Sequence, residues 1–150
     1  MSFEEKMTWV FTSVTTVVPA IYFATVLGRV GQVPVAEIAY QKPMLIAIGA
    51  AIVLTIIGAI LAAIGTAVAA QVTGVGSVDE VDRKDERDVH IGRRGELVGY
   101  YVASAGMVGV LVLTMLRFEY FWIANALYLS FVLASLVSSA VKLVAYRRGF

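Results

Sequence analysis

The sequence predicts an all-α fold: a four-helix transmembrane bundle, N-in and C-in, with a short cytoplasmic helix between helices 2 and 3. Three observations carry this. Residues are 59% hydrophobic and only 15% charged, where a soluble domain is about a quarter charged. No Asp, Glu, Lys or Arg interrupts 7–28, 43–78, 97–116 or 120–141, stretches of 22, 36, 20 and 22 residues. About 20 apolar residues suffice for a helix to cross a bilayer core of ~30 Å. Finally, the segment 77–96, SVDEVDRKDERDVHIGRRGE, holds twelve of the twenty-three charged residues. The 150 residues read as one integral membrane domain, with spans at about 7–27, 44–72, 97–116 and 121–146 and a charged cytoplasmic segment at 77–96.

Helix 1 opens on Ser2-Phe3-Glu4-Glu5, a capping box in which hydroxyl and carboxylate satisfy the first free amides. Glu4 and Glu5, the weakly basic start and a long apolar run distinguish it from a cleaved leader. Thr8, Thr12, Thr16, Ala20, Ala24 and Gly28 recur every fourth residue and give one small face, of the kind that lets helix backbones approach in lipid. Pro19 removes an amide and is expected to kink the helix near mid-span, freeing the Thr15 carbonyl; the expectation is a structural kink, which membrane helices tolerate. Gly28, Gly31, Pro34 and Pro43 punctuate the following loop, with a short interfacial turn expected at Val35–Tyr40 and Tyr40 at headgroup level.

Helix 2 carries Ala47, Ala51, Thr55, Ala59, Ala63 and Ala67 in one row and Gly58, Ala62, Thr66 and Ala70 in the next. This predicts the central, most tightly packed helix. Gly74 and Gly76 end it. Ser77-Val78-Asp79-Glu80 is a second capping box, with acids in the first turn and favourable i,i+4 pairs from Asp79 to Arg83 and Glu80 to Lys84. A short cytoplasmic helix is expected there, broken or bent at Gly92, Gly95 and Gly99 before span 3. Gly95–Gly99 and Ala105–Gly109 are small-xxx-small pairs. Arg117-Phe118-Glu119-Tyr120 is a tight turn that makes helices 3 and 4 a hairpin, and Ser130, Ala134 and Ser138 form the small steps of helix 4. Trp9, Tyr100, Tyr101 and Tyr146 at one boundary and Tyr120, Phe121 and Trp122 at the other match aromatic belts. Lys142 lies one turn inside and can snorkel.

Nine Lys and Arg residues fall on the side of the two chain ends and 77–96, against Arg29, Lys42 and Arg117 on the other. The positive-inside rule makes the nine-residue side cytoplasmic and predicts a multi-pass protein of the cell membrane, with the lipid bilayer as its surroundings. The absence of cysteine excludes disulfides and thiolate chemistry. A net charge of +1 with no acid-free basic patch argues against nucleic acid.

Asp82, Glu86 and His90 lie at i, i+4 and i+8, and carboxylate with imidazole suits a transition metal. Nearby Arg83, Arg87 and Arg94 favour a solvated charged face, so no metal and no cofactor are expected. Asn125, about one turn inside the outer face, is expected to hydrogen-bond a neighbouring helix. No acid or His stands in mid-span, which disfavours ion-coupled transport. With one His and no nucleophile or metalloprotease motif, no enzyme is expected. The alternating charges of Asp85, Glu86, Arg87, Asp88, Arg93 and Arg94 are expected to dock a cytosolic or membrane protein partner. An oligomeric channel or small-solute transporter is the alternative, and small rows on more than one helix are compatible with a homo-oligomer.

The run Asp85-Glu86-Arg87-Asp88, followed by Ile91 and 93–101 (RRGELVGYY), together with 121–126 (FWIANA) and 141–150 (VKLVAYRRGF), resembles an uncharacterised group of small prokaryotic membrane proteins, actinobacterial and archaeal, with a D-E/V-R-D motif before the third helix. The resemblance covers about 79–150 and, less closely, the Phe-Glu-Glu-Lys opening. It implies the four-helix topology and no activity.

Overall fold

In the computed structural model, which describes residues 3–73 and 86–148, the chain forms four long α-helices: α1 (Phe3–Leu27), α2 (Gln41–Thr73), α3 (Glu86–Met115) and α4 (Tyr120–Arg148). A 3-10 turn at Val35–Glu37 lies in the α1–α2 connection. All four helices are long and apolar enough to cross a membrane, so the chain is built as a multi-pass membrane protein. Both capping boxes and the pairs Asp79–Arg83 and Glu80–Lys84 involve positions outside the described residues.

Packing runs in the order α2–α1–α4–α3, with α1 against α2 and α4, and α4 against α3. The prediction that α2 is central is therefore corrected: α1 and α4 hold the middle. Side-chain size explains this. The small face of α2, with Ala47 and Thr66 buried, meets α1, and a Cβ at Gly58 would collide with Val10. Its Leu45, Ile46, Ile52, Ile56 and Leu61 are all exposed. In lipid an exposed aliphatic face carries no hydrophobic penalty, so close approach of small surfaces decides the packing.

The same physics sorts the other small residues. On α1, Thr16, Ala20, Ala24 and Gly28 are exposed, and the packed face carries Pro19, Tyr22 and Val26 instead. The helix runs through Pro19, which is buried. On α3, a Cβ at Gly95 would lie 2.9 Å from the Ser138 carbonyl oxygen, and one at Gly99 would lie 3.0 Å from Ser138 Cβ and 3.1 Å from the Ala134 carbonyl oxygen. Gly106 meets Ser130 in the same way, whereas Ala105 is exposed and Gly109 faces open space. The predicted Ala105–Gly109 step is thus replaced by Gly106, and the α4 steps Ser130, Ala134 and Ser138 stand as the opposing surface.

No break occurs at Gly92, Gly95 or Gly99. Residues 86–96 are the first turns of one continuous α3; the rest of the expected short helix lies outside the described residues. The α3–α4 turn closes as a Schellman motif: the Arg117 amide donates to the Thr114 carbonyl at 3.1 Å and the Phe118 amide to the Leu113 carbonyl at 3.1 Å. Arg117 takes the left-handed conformation there, with φ 55°.

Candidate functional site

Two regions hold the residues that carry chemistry. The first is the start of α3. Glu86, Arg87, His90, Arg93 and Arg94 are exposed and Asp88 is half-buried, while Ile91 and Gly95 are buried and Gly95 packs on Ser138 and Lys142 of α4. Asp85 and Asp82 lie outside the described residues. Among the described residues, no group of three His, Cys, Asp or Glu side chains is placed to hold a metal ion.

The second region is the buried cluster around Asn125. The Tyr22 hydroxyl of α1 donates to Asn125 Oδ1 at 2.8 Å, and Asn125 Nδ2 donates to the Phe121 carbonyl at 2.8 Å. Asn125 is 4% exposed and Tyr22 3%, so this bond replaces water rather than competing with it. Aromatic edges enclose it. The Tyr22 ring meets Phe23 at 5.1 Å and Tyr128 at 5.2 Å, both edge-on, and Phe121 meets Tyr40 at 5.4 Å and Trp122 at 5.1 Å in the same manner. Tyr40 is half-buried against the cluster, beside Ile38, which follows the Val35–Glu37 turn and is also buried. Pro19 lies one turn before Tyr22 on the same buried face. The arrangement joins α1 to α4 and gives Asn125 the interhelical bond expected of it.

At the end of the bundle that carries Phe3 and Arg148, each packed helix pair shows a cationic tie among the described residues. Lys6 Nζ donates to Thr66 Oγ1 at 3.1 Å across α1 and α2. The Arg147 guanidinium sits 5.6 Å from the centre of the Trp9 ring across α1 and α4. Lys142 Nζ meets Glu96 Oε1 at 3.4 Å across α3 and α4, with the lysine stem laid over Gly95. The sequence marks Lys142 as able to snorkel and indicates none of these partners, nor Tyr22 as the donor to Asn125. The available signal for Tyr22 was a phenol within an apolar span, which needs an acceptor when buried. No family model, curated protein or solved structure matches the chain.

Proposed function

We propose that the chain is a non-enzymatic component of the cell membrane that binds a protein partner through its charged segment. Both chain ends and that segment face the cytoplasm in this reading, which rests on the nine-to-three distribution of Lys and Arg. Asp85, Glu86, Arg87 and Asp88 lead the docking surface and Arg93 and Arg94 continue it. The resemblance of 79–150 to small prokaryotic membrane proteins with the same motif adds topology to this reading and no activity.

The observation that carries it is the exposure of Glu86, Arg87, Arg93 and Arg94 in the first turns of α3. Charged side chains displayed on a helix meet a partner with less ordering cost than those on a flexible loop. Affinity capture from native membranes with mass-spectrometric identification is the test. A partner recovered with the wild-type chain is lost when Asp85–Asp88 are replaced by Ser and Gly residues; unchanged recovery sinks the reading. Flux assays in liposomes separate it from a channel or carrier: purified chain is silent under this reading, and solute-dependent flux favours the alternative. The engagement of Asn125 with Tyr22 and the Phe121 carbonyl weighs against Asn125 lining a solute path.

A further inference from the structure

On α3, Arg93, Leu97 and Tyr100 fall within about 60° of one another around the helix, and Arg94 and Tyr101 flank them, at about 100° per residue. This stripe lies roughly opposite Gly95 and Gly99, the residues that pack on α4. Its members are all exposed, Leu97 by 54%, Tyr100 by 66% and Tyr101 by 63%.

Height along the helix matters as much as direction. The charge-free stretch of α3 begins at Leu97, so Arg93 and Arg94 stand about 4.5–6 Å outside the hydrocarbon at ~1.5 Å per residue. Each polar headgroup layer is about 5–8 Å thick, which puts both guanidinium groups at phosphate level. Tyr100 and Tyr101 begin a similar distance inside. Helical side chains lean toward the helix N-terminus, so the two phenols reach back toward the arginines. Their rings support each other edge-on at 6.1 Å.

Among the described residues, the neighbouring acids leave this stripe cationic. Glu96, the nearest in sequence, is turned to Lys142. Asp88 is half-buried and falls within about 20° of Gly95 around the helix, and Glu86 is two turns farther out. Neither Arg93 nor Arg94 has an ion-pair partner among the described residues.

From this placement we infer that Arg93, Arg94, Tyr100 and Tyr101 form a binding site for one anionic phospholipid of the adjacent leaflet. Guanidinium groups hold the phosphate, phenol hydroxyls meet the ester region, and Leu97 contacts the start of the acyl chains. Guanidinium is suited to the role because its planar fork matches phosphate oxygens. The site depends on the helix end and not on which compartment it faces. It rests on the docking reading for Asp85–Asp88 and takes Arg93 and Arg94, which continue that surface toward the bilayer, as its lipid-binding end.

The test is a native mass-spectrometric titration of the purified full chain, with phosphatidylglycerol and phosphatidylcholine added separately. The first phosphatidylglycerol binds at least tenfold tighter than the first phosphatidylcholine. Each arginine removed lowers that preference about fivefold, the factor that corresponds to ~1 kcal/mol per basic residue near an anionic surface, so R93Q/R94Q brings it close to parity. Y100F/Y101F lowers it by a smaller factor, while R147Q/R148Q keeps it. Both arginines are exposed, and unchanged helicity by circular dichroism confirms that R93Q/R94Q is folded. Wild-type preference in R93Q/R94Q, or its loss in R147Q/R148Q alone, overturns the assignment. Displacement of bound lipid by 10-fold excess inorganic phosphate would reassign the site to free phosphate and also overturn it. Because the purified chain carries no protein partner, and the Asp85–Asp88 replacement leaves lipid preference intact, failure here and failure of the docking reading are separate results.

Discussion

Replacing Tyr22 by Phe removes one hydroxyl and keeps the ring that packs on Phe23 and Tyr128. Asn125 Oδ1 then loses the donor 2.8 Å away and has no water to replace it. An unsatisfied buried polar group costs about 1–3 kcal/mol, and the apolar surroundings of the new Phe offset part of that, so Tyr22→Phe should destabilise by ~1 kcal/mol. Asn125→Ala strands the phenol hydroxyl and also opens a small void at a residue only 4% exposed, so it should cost ~2 kcal/mol. The double variant has neither stranded group and should fall short of the sum. Coupling energies of interhelical hydrogen bonds in membranes average ~0.6 and reach ~1.7 kcal/mol, and this fully enclosed bond belongs in the upper half of that range. Unfolding by SDS titration in mixed micelles reads the cycle through the fluorescence of Trp122, whose ring centre is 5.1 Å from that of Phe121. A Trp9→Phe background common to all four proteins makes Trp122 the only reporter. Additivity of the two single effects to within ~0.3 kcal/mol, the spread of independent sites, would refute the claim that this bond joins α1 to α4.

The same assay checks three further outcomes. Gly99→Leu drives a side chain into Ser138 and the Ala134 backbone and destabilises by about 1–3 kcal/mol, whereas Gly109→Leu, with open space around it, is neutral or stabilising through helix propensity. Glu96→Gln changes stability by less than ~1 kcal/mol, because the pair with Lys142 is substantially exposed. Lys142→Ala costs more than Glu96→Gln, since it also strips the aliphatic stem from Gly95. Arg117→Gly relieves a left-handed conformation at φ 55° and stabilises by up to ~1 kcal/mol; a destabilised Arg117→Gly would show that the arginine side chain contributes more than its backbone strain removes.

The helices were legible because crossing a bilayer imposes a length, and the four charge-free stretches meet it. The tight turn at Arg117–Tyr120 was legible for the same reason: two spans separated by four residues leave no alternative to a hairpin. Helix neighbours were far less so. In water, an apolar stripe marks the packed face, but in lipid both faces are apolar and only size and shape separate them. Helices 1 and 2 both carry small rows, and two rows marked α2 as the centre; the α2 row packs and Thr16, Ala20 and Ala24 on α1 do not, yet α2 packs on α1 and lies at the edge. What displaces the α1 row is Tyr22, whose hydroxyl takes its acceptor from α4 and turns that face inward. Asn125 was identifiable as a residue needing a partner; which phenol served it depended on helix order, a global property. Glycine spacing on α3 misled in the other direction. Three glycines in 92–99 suggested a break, but two of them are buried where α4 presses against a continuous helix.

The packing order α2–α1–α4–α3 sets a timetable for assembly. The two helices in the middle are the first and last of the four to be made, and Tyr22 precedes Asn125 by 103 residues. At ~5–20 residues per second of synthesis, the phenol waits about 5–20 s for its acceptor. Until α4 arrives, the inward face of α1, with its hydroxyl and its buried proline, must be tolerated by lipid or by the insertion machinery. The α1–α2 hairpin is therefore a lasting biosynthetic intermediate with one side unfinished. Truncation before Asn125 should preserve the hairpin and present that side to the cell's quality control.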